Sequence, residues 1–359
     1  MNLSADAICE SPEDRPASGL LGLAERGHLP DALLRQGIRR LCAQRLREEM
    51  AGGLEQQAAR FVQRIDLLRH SPVAIHTEAA NAQHYELPPA FFEQCLGKRL
   101  KYSGCYYPRG DESLDQAEEA MLALYGTRAE LADGQDILEL GCGWGSLTLW
   151  MAERYPNATI VAVSNSQQQR RHIEEQCRQR GFGNVRVITM DVNQLEIESS
   201  RFDRCVSIEM FEHMRNYEIL LQRISTWLRP GGKLFVHIFA HKTLMYPFET
   251  DGDDNWMGRH FFTGGLMPAS DTLLWFQREL QIEQRWHVDG THYQRTANHW
   301  LARQDARRGP VMDTLTRAYG DAAPLWFQRW RMFWMSCAEL FGYADGQEWL
   351  VAHYRFVRP

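Results

Sequence analysis

The sequence lacks several features that would assign it to a protein class at once. Its eight cysteines form no Cys-x-x-Cys pair, so neither a zinc site nor a disulfide framework is indicated. No stretch approaches the roughly 18 apolar residues of a membrane-spanning helix. Residues 1–16 are acidic and contain no apolar segment of the secretory type. We therefore expect a cytoplasmic protein without a metal and without stable membrane association.

An excess of positive charge is also missing. The chain carries 40 Lys and Arg against 46 Asp and Glu, a formal net charge of −6. This balance argues against a protein that coats nucleic acid or an anionic membrane. Hydrophobic and charged fractions of 44% and 24% are ordinary for a globular protein. A length of 359 residues suits one large domain, or a core with a substantial appendage.

The middle of the chain alternates short apolar segments with helical ones. We predict strands at 136–140, 159–164, 185–190, 205–209 and 234–238. Helices are predicted at 146–155, 167–180 and 217–228, and short connections of this kind are typical of a parallel sheet covered on both faces. Two later strands, 281–288 and 349–357, would complete a seven-stranded α/β sheet of the Rossmann-like type.

The flanking regions are predicted to be helical. Residues 1–100 show no strand pattern, and 31–50 has the apolar spacing of an amphipathic helix. We divide the chain into a helical N-terminal extension at 1–100, a core at 101–245, and a helical cap at 246–359 that also contains the last two core strands.

A glycine-rich loop follows the first predicted strand. Gly141, Gly143 and Gly145 lie between that strand and a helix, where glycines allow a tight turn and let a ligand approach the backbone. The spacing is GxGxG and not the dinucleotide GxGxxG. No acid closes the second strand, which ends in Ser164-Asn165, so NAD is disfavoured. A P-loop motif is absent as well.

The segment 137–145 (ILELGCGWG) resembles the first motif of Rossmann-like S-adenosylmethionine (SAM) methyltransferases. The resemblance implies SAM as cofactor, with Glu139 near its methionine end and the glycines beneath it. Asp191 would lie near the adenine amine, although a turn cap is its alternative role. The usual acid for the ribose is missing, so Asn165 and Gln169 would bind it. Four further cofactor contacts are expected: Tyr102, Ser103, Val192 and Ile208.

Other segments narrow the resemblance. Residues 102–107 (YSGCYY) resemble the segment that covers SAM in the cyclopropane fatty acid synthase superfamily. Residues 207–217 (SIEMFEHMRNY), 295–301 and 341–349 are similar to plant coclaurine N-methyltransferases, and the likeness runs from about residue 30 to the end. It implies methyl transfer to the nitrogen of a small aromatic or heterocyclic amine, tetrahydroisoquinoline-like, and suggests a homodimer. A SAM-binding protein without turnover is the alternative from another class.

Glu209, Glu212 and His213 follow the fourth strand, at the edge where open α/β sheets bind ligands. If Glu209 opens a helix, Glu212 and His213 share a face with it. An amine is largely protonated at neutral pH; a carboxylate would attract the ammonium, and His213 could take its proton. The resemblance assigns both glutamates to the substrate nitrogen and His213 to base duty. Alternatively, the acids only favour a helix N-terminus and His213 is packed.

Cyclopropane synthesis on phospholipid alkenes is the second candidate activity. The resemblance implies a bicarbonate base held by a glutamate, a histidine, a tyrosine and a cysteine amide. Glu212, His237 and Tyr293 match the first three, and either Gly104 or Cys105 matches the fourth. That family carries glycine at position 209, where a carboxylate would suit an amine better than an alkene. On this residue and the C-terminal likeness to the plant enzymes N-methylation is preferred, and Tyr293→Phe is then expected to matter little.

An aromatic cluster near the C-terminus marks a candidate acceptor pocket. Its members, spaced so that most share one helical face, are Trp326, Phe327, Trp330, Phe333 and Trp334. Trp330 and Phe333 match positions that line the alkaloid pocket of the plant enzymes, and Tyr85 matches another contact. Packing in the core is the alternative role. Aromatic walls would favour a cationic amine through cation–π attraction.

Overall fold

The computed structural model describes residues 15–75 and 87–359, which form an α/β fold around one seven-stranded sheet. The strands, numbered in chain order, are β1 Asp136–Leu140, β2 Thr159–Ser164, β3 Val185–Thr189, β4 Phe202–Ile208, β5 Leu228–His241, β6 Gln281–Val288 and β7 Trp349–Val357. Tyr246–Pro247 and Leu266–Met267 form a separate two-stranded ribbon. The predicted fold class is therefore confirmed.

The spatial order of the sheet is β3–β2–β1–β4–β5–β7–β6. The strands β1 to β5 run parallel, and β7 is antiparallel to both β5 and β6. The apolar residues of β1 and β2 are buried because helices cover both faces of the sheet. The order reverses between β1 and β4, so their carboxyl ends flank the crevice in which such sheets bind ligands.

Helices surround this sheet. Those before β1 are Gly19–Glu25, Asp31–Glu49, Gly53–His70, Pro89–Cys95 and Leu114–Arg128. Those between the parallel strands are Ser146–Arg154, Gln167–Arg180 and Tyr217–Trp227, and the later ones are Trp256–His260, Gly290–Ala306, Arg308–Tyr319 and Ala323–Phe341. No helix within the described ranges is long and apolar enough to cross a membrane.

The N-terminal helices are fastened to the cap by charged contacts. Glu25 is fully buried and receives a hydrogen bond from Arg329 Nε at 2.9 Å. Arg35 and Arg39 both donate to the carboxylate of Glu339, at 2.8 and 2.5 Å. Charge pairing of a buried carboxylate offsets the cost of removing it from water. Segments far apart in the chain therefore close together over the carboxyl ends of the strands.

Candidate active site

A first cavity, which we call the loop cavity, lies at the carboxyl ends of β1, β2 and β4. Nine of the predicted cofactor residues line it: Tyr102, Ser103, Glu139, Gly141, Gly143, Asn165, Gln169, Val192 and Ile208. The positive φ of Gly141, +78°, suits glycine, and a Cβ there would lie 2.7 Å from Met210 Cγ. The loop therefore brings bare backbone up to the cavity.

Two of the predicted cofactor residues do not line the loop cavity. Gly145 instead permits close helix packing, since a Cβ on it would lie 2.7 Å from Ile173 Cγ1. Asp191 accepts a hydrogen bond from the Asn193 backbone N–H at 2.7 Å, which is the turn-cap role held open above. Its neighbours Met190 and Val192 reach the cavity.

Two buried polar side chains make the loop cavity suitable for a polar ligand. Gln169 accepts from Ser164 Oγ at 2.6 Å, but its buried Nε2 has no hydrogen-bond partner among the described residues. Glu139 is 2% exposed, receives a hydrogen bond from Thr148 Oγ1, and has its pKa raised to about 8 by burial. A ligand with hydroxyls and a cationic group would complete both. The amide N–H group of Gln169 and the carboxyl group of Glu139 therefore fit SAM.

A second cavity, which we call the aromatic cavity, opens beside the first. Tyr293 and Phe333, both predicted as substrate contacts, line it. Sequence reasoning missed other aromatic residues that line this cavity, because they come from separate elements of the chain. They are Phe239, Tyr246, Phe248, Trp256, Phe262, Trp300, Phe341 and Trp349. Tyr85 lies outside the described residues.

Trp330 does not line the aromatic cavity, which corrects its assignment to the substrate. It is 1% exposed, and its ring centroid lies 4.7 Å from that of Phe91 and 5.0 Å from that of Phe261. Helical spacing identified the apolar face of Ala323–Phe341 but could not separate cavity positions from packed ones. Trp330 therefore packs in the core, which is the alternative role given for it above.

Three residues line both cavities: Tyr102, Glu209 and His213. The imidazole of His213 lies against the ring of Phe262, with centroids 4.6 Å apart. Any ligands bound in the two cavities would meet at these side chains. The junction is thus the place where a group could pass from one ligand to the other.

Glu209 does not open a helix, as the sequence interpretation assumed. The strand β4 ends at Ile208, and Glu209 has a φ of +45°, a left-handed conformation that costs a residue with a side chain about 1 kcal/mol or more. A short 3₁₀ turn follows at Phe211–His213. The strained turn directs Glu209 and His213 to the junction, whereas Glu212 faces elsewhere.

Three hydrogen bonds fix the carboxylate of Glu209. The Gly104 backbone N–H donates to Oε1 at 2.9 Å, and His237 Nε2 lies 3.0 Å from the same oxygen. The Tyr293 hydroxyl donates to Oε2 at 2.7 Å. We call Gly104, His237 and Tyr293 the carboxylate cradle. These are the amide, the histidine and the tyrosine that the resemblance to cyclopropane synthases implies for binding bicarbonate. In this protein they hold the carboxylate of Glu209 instead of a separate anion.

The cradle settles three assignments made from the sequence. Gly104 and not Cys105 supplies the amide, because the Cys105 N–H donates to Thr296 Oγ1 at 3.0 Å. His237 is fully buried and lines neither cavity, so it holds Glu209 and is not a substrate contact. The Tyr293 hydroxyl donates to Glu209. The expectation that Tyr293→Phe matters little assumed that this hydroxyl has no part in an N-methyltransferase site, and that assumption is wrong.

Glu212 lies apart from the cradle and lines neither cavity. Its Oε1 accepts from the Phe239 backbone N–H at 2.8 Å, and its buried Oε2 has no partner among the described residues. Burial, and secondly the charge of Glu209, raise its pKa well above the usual range. Glu212 is thus a buried acid coupled to Glu209, and it does not face a ligand directly.

Burial is the largest influence on the pKa values of Glu209 and His237 as well. It raises the pKa of Glu209, against the opposing effects of Lys101 and the hydrogen bonds from Gly104 and Tyr293. It lowers the pKa of His237 well below the usual range, so that imidazole is neutral. Sequence reasoning missed Lys101, whose buried Nζ donates to Ser103 Oγ at 2.5 Å and to Gly104 O at 2.7 Å. Its only sequence signal was its place directly before the YSG segment.

Comparisons with known proteins agree with this arrangement. The family model described as mycolic acid cyclopropane synthetase matches residues 74–347. The (S)-coclaurine N-methyltransferase of Thalictrum flavum subsp. glaucum is 37% identical over 344 residues, which cover 94% of this chain and 95% of the relative. The cyclopropane-fatty-acyl-phospholipid synthase of Escherichia coli (strain K12) is 28% identical over 279 residues, 77% of this chain and 67% of that protein.

A solved structure gives the same picture. The crystal structure of coclaurine N-methyltransferase bound to N-methylheliamine and SAH is 38% identical in sequence and has a TM-score of 0.91. The match covers 94% of this chain and 98% of that one.

Proposed function

This chain belongs to the coclaurine N-methyltransferase family, and from that premise we propose that Glu209 and His213 bind and deprotonate its amine acceptor where the two cavities meet. The protein is a SAM-dependent N-methyltransferase. One observation carries the assignment of residues: Glu209 and His213 line both cavities, and Glu209 is held at the junction by three hydrogen bonds.

The chemistry asks little of the protein beyond alignment and proton removal. SAM supplies the methyl group on a sulfonium that is its own leaving group. The acceptor nitrogen must present a lone pair in line with that methyl group. In our proposal Glu209 attracts the ammonium form of the acceptor to the junction. His213 then takes the proton, and the freed nitrogen faces the loop cavity.

Glu212 supports this step through Glu209. The two carboxyl groups are buried and electrostatically coupled, so removing the proton from both at once is unfavourable. The pair then carries about one negative charge, which a cationic acceptor balances. On this ground we propose Glu212, expected from the sequence to be catalytic, as a residue that adjusts the charge of Glu209 without touching the acceptor.

The loop cavity supplies the proposed cofactor contacts. Gln169 and Asn165 are assigned to the ribose, and Glu139 to the methionine end. Tyr102 and Ser103, which follow the N-terminal extension in the chain, line the same cavity. Asp191 and Gly145 are left out of the contact set for the reasons given above.

We propose a tetrahydroisoquinoline-like amine as the acceptor. One relative is named for (S)-coclaurine, and the similar solved structure of a coclaurine N-methyltransferase holds N-methylheliamine. In this chain aromatic side chains line the cavity that opens at the junction, among them Phe262, Trp300 and Phe341. Rings of this kind attract a desolvated cationic amine by about 1–2 kcal/mol each. A flat bicyclic amine would fill the cavity with its nitrogen towards Glu209.

We further propose that the protein acts in the cytoplasm as a homodimer. The cysteines of the described residues are all free and buried, which suits a reducing compartment. The dimer is supported only by the resemblance to the plant enzymes.

A paired assay tests the proposed function. Purified protein and SAM are offered tetrahydroisoquinolines and simple secondary amines in one arm, and vesicles of unsaturated phospholipid in the other. Both reactions add one CH₂, so the acceptor that is consumed must be identified by mass spectrometry. Consumption of amine with intact lipid is the expected result. Consumption of lipid alone would mean that the cradle binds a separate base and that Glu209 has been misjudged.

A further inference from the structure

Behind the cradle lies a chain of polar residues that the N-methyl transfer described above does not use. His237 Nδ1 is 2.9 Å from His353 Nε2, and His353 Nδ1 is 2.7 Å from Arg128 Nη1. Both histidines are fully buried. We call Arg128, His353 and His237 the histidine relay. It connects a half-buried arginine with the oxygen of Glu209 that faces His237.

Secondary structure places the relay members with little freedom. His237 on β5 and His353 on β7 are direct partners in the antiparallel ladder, with ring centroids 4.8 Å apart. Tyr125 and Arg128 are one turn apart on the helix Leu114–Arg128, so both reach the histidine pair. The Tyr125 hydroxyl is 2.9 Å from His237 Nδ1.

Only one set of proton positions satisfies these contacts. A guanidinium donates and cannot accept, so His353 Nδ1 must be bare and His353 must carry its proton on Nε2. That N–H donates to His237 Nδ1, which leaves the His237 proton on Nε2. His237 therefore donates to Glu209 Oε1. Arg128, as a donor, thus sets two tautomers in sequence, and the Tyr125 hydroxyl, as a second donor to His237 Nδ1, favours the same His237 tautomer.

This direction matters for the charge of Glu209. If His237 carried its proton on Nδ1, its bare Nε2 would accept a hydrogen bond from a protonated Glu209 Oε1, and the carboxyl group would be neutral. With the relay in place, Oε1 meets two N–H donors, from Gly104 and His237. Two donors at one oxygen favour the ionised carboxylate.

We propose that Arg128 and His353 are positioning residues that keep His237 a hydrogen-bond donor and thereby keep Glu209 ionised for the amine. This inference rests on the proposed role of Glu209. Neither Arg128 nor His353 lines either cavity. Their influence would therefore pass through His237 and through Tyr125, whose hydroxyl contacts His237.

The other ionisable groups around Glu209 are not mutated in the test. Besides His237, those coupled to Glu209 or bonded to it are Lys101, Cys105, Tyr125, Glu212, Tyr293 and Cys337. His353 is in turn influenced by His237, Arg128 and Lys101. A change at Arg128 acts directly on both histidines and on Tyr125, and it reaches the other groups through them.

The experiment compares Arg128→Met with Arg128→Lys, which keeps a cationic donor. The pH profile of kcat/KM is measured with one secondary amine. The acidic limb is the part of this profile in which kcat/KM falls as the pH is lowered. We expect Arg128→Met to move this limb upward by about one pH unit, which lowers kcat/KM about tenfold at pH values below it. Arg128→Lys should return the limb most of the way to its position in the parent. SAM affinity and the melting temperature are measured for each variant. Superimposable pH profiles for all three proteins would overturn the proposal.

Two further variants separate the relay from general damage. His353→Asn keeps an acceptor for Arg128, but its shorter side chain no longer reaches His237, so the same upward shift is expected. Arg201→Met is the matched control, because Arg201 is also a half-buried arginine over an aromatic ring, that of Phe202, and has no contact with the relay. The low-pH fall of its kcat/KM should stay in place. A shift in Arg201→Met equal to that in Arg128→Met would refute a specific relay.

A second readout needs no turnover and so distinguishes this proposal from the proposed function. Nitrogen-15 NMR of histidine-labelled, ligand-free protein reports which ring nitrogen is protonated. We expect the His237 signal to show the Nε2–H form in the parent and a mixture in Arg128→Met. If no amine is methylated but the tautomer changes, the proposed function fails and the relay stands. If amines are methylated and the tautomer is unchanged, the relay is wrong.

Discussion

Glu209→Gln isolates the charge of the carboxylate from its shape. The cradle can accept the amide, because its oxygen can keep the bonds from Gly104 N–H and His237 Nε2. Its NH₂ would then face the Tyr293 hydroxyl, which can rotate to accept. The main change at the junction is therefore the loss of one negative charge.

The size of the effect follows from that charge. A carboxylate and an ammonium about 4 Å apart attract by about 4 kcal/mol at an effective dielectric constant of about 20. Glu209 is 11% exposed and partly desolvated already, so we expect a loss of about 2–4 kcal/mol, or roughly 30- to 900-fold in kcat/KM.

The assay measures kcat/KM for a secondary amine and, separately, the Kd of SAM by calorimetry. SAM affinity should stay within about threefold, since its proposed contacts lie elsewhere in the loop cavity. Glu174→Gln is the control, because Glu174 is a surface carboxylate paired only along its own helix with Arg170. A Glu209→Gln enzyme within threefold of the parent, with a folded structure and unchanged SAM binding, would refute the reasoning.

Three further predictions follow from the same geometry. Tyr293→Phe removes the donor to Glu209 Oε2, so kcat/KM should fall about tenfold, with the acidic limb of the pH profile moved upward; an unchanged limb would contradict this. His213→Ala and Glu212→Ala should each lower turnover by about 10²-fold or more while SAM affinity stays nearly unchanged; activity within a few-fold of the parent would sink the assignment. Burial raises the pKa of Glu139 to about 8 from 4.5, so a cationic ligand that favours its ionised form should release a proton on binding. SAM should therefore bind more tightly as pH rises towards 8, and Glu139→Gln should remove that dependence in calorimetry. Without SAM, the unfolded chain binds fewer protons at Glu139 than the folded chain does. The free energy of unfolding should thus fall as pH rises between these two values, and less steeply in Glu139→Gln.

The sequence was informative where local pattern and burial coincide. The strands β1, β2, β6 and β7 begin and end where they were predicted, because continuous apolar runs are what a covered sheet requires. The strand β5 is longer than predicted, since Gly231 and Gly232 pair with Arg358 and extend the ladder beyond the expected turn.

The candidate site could be predicted only in part, because its decisive contacts join distant residues. Glu209 meets Gly104 and Tyr293, which are 105 and 84 positions away. Nothing in the spacing of Glu209, Glu212 and His213 signals that Glu209 adopts a positive φ and that Glu212 therefore faces another way. A helical reading of those three residues was reasonable and wrong.

The central claim is that Glu209 fills the cradle with a carboxylate that belongs to the protein. Glu209→Gly tests it most directly, since the φ of +45° suits glycine and the three donors remain to bind an added anion. Amine methylation is measured in bicarbonate-depleted buffer and after bicarbonate or formate is added. We predict that the parent is indifferent to either anion, and that Glu209→Gly is about 10²-fold slower and partly restored by them. A parent enzyme that requires bicarbonate, or a Glu209→Gly enzyme that is fully active without any added anion, would contradict the account.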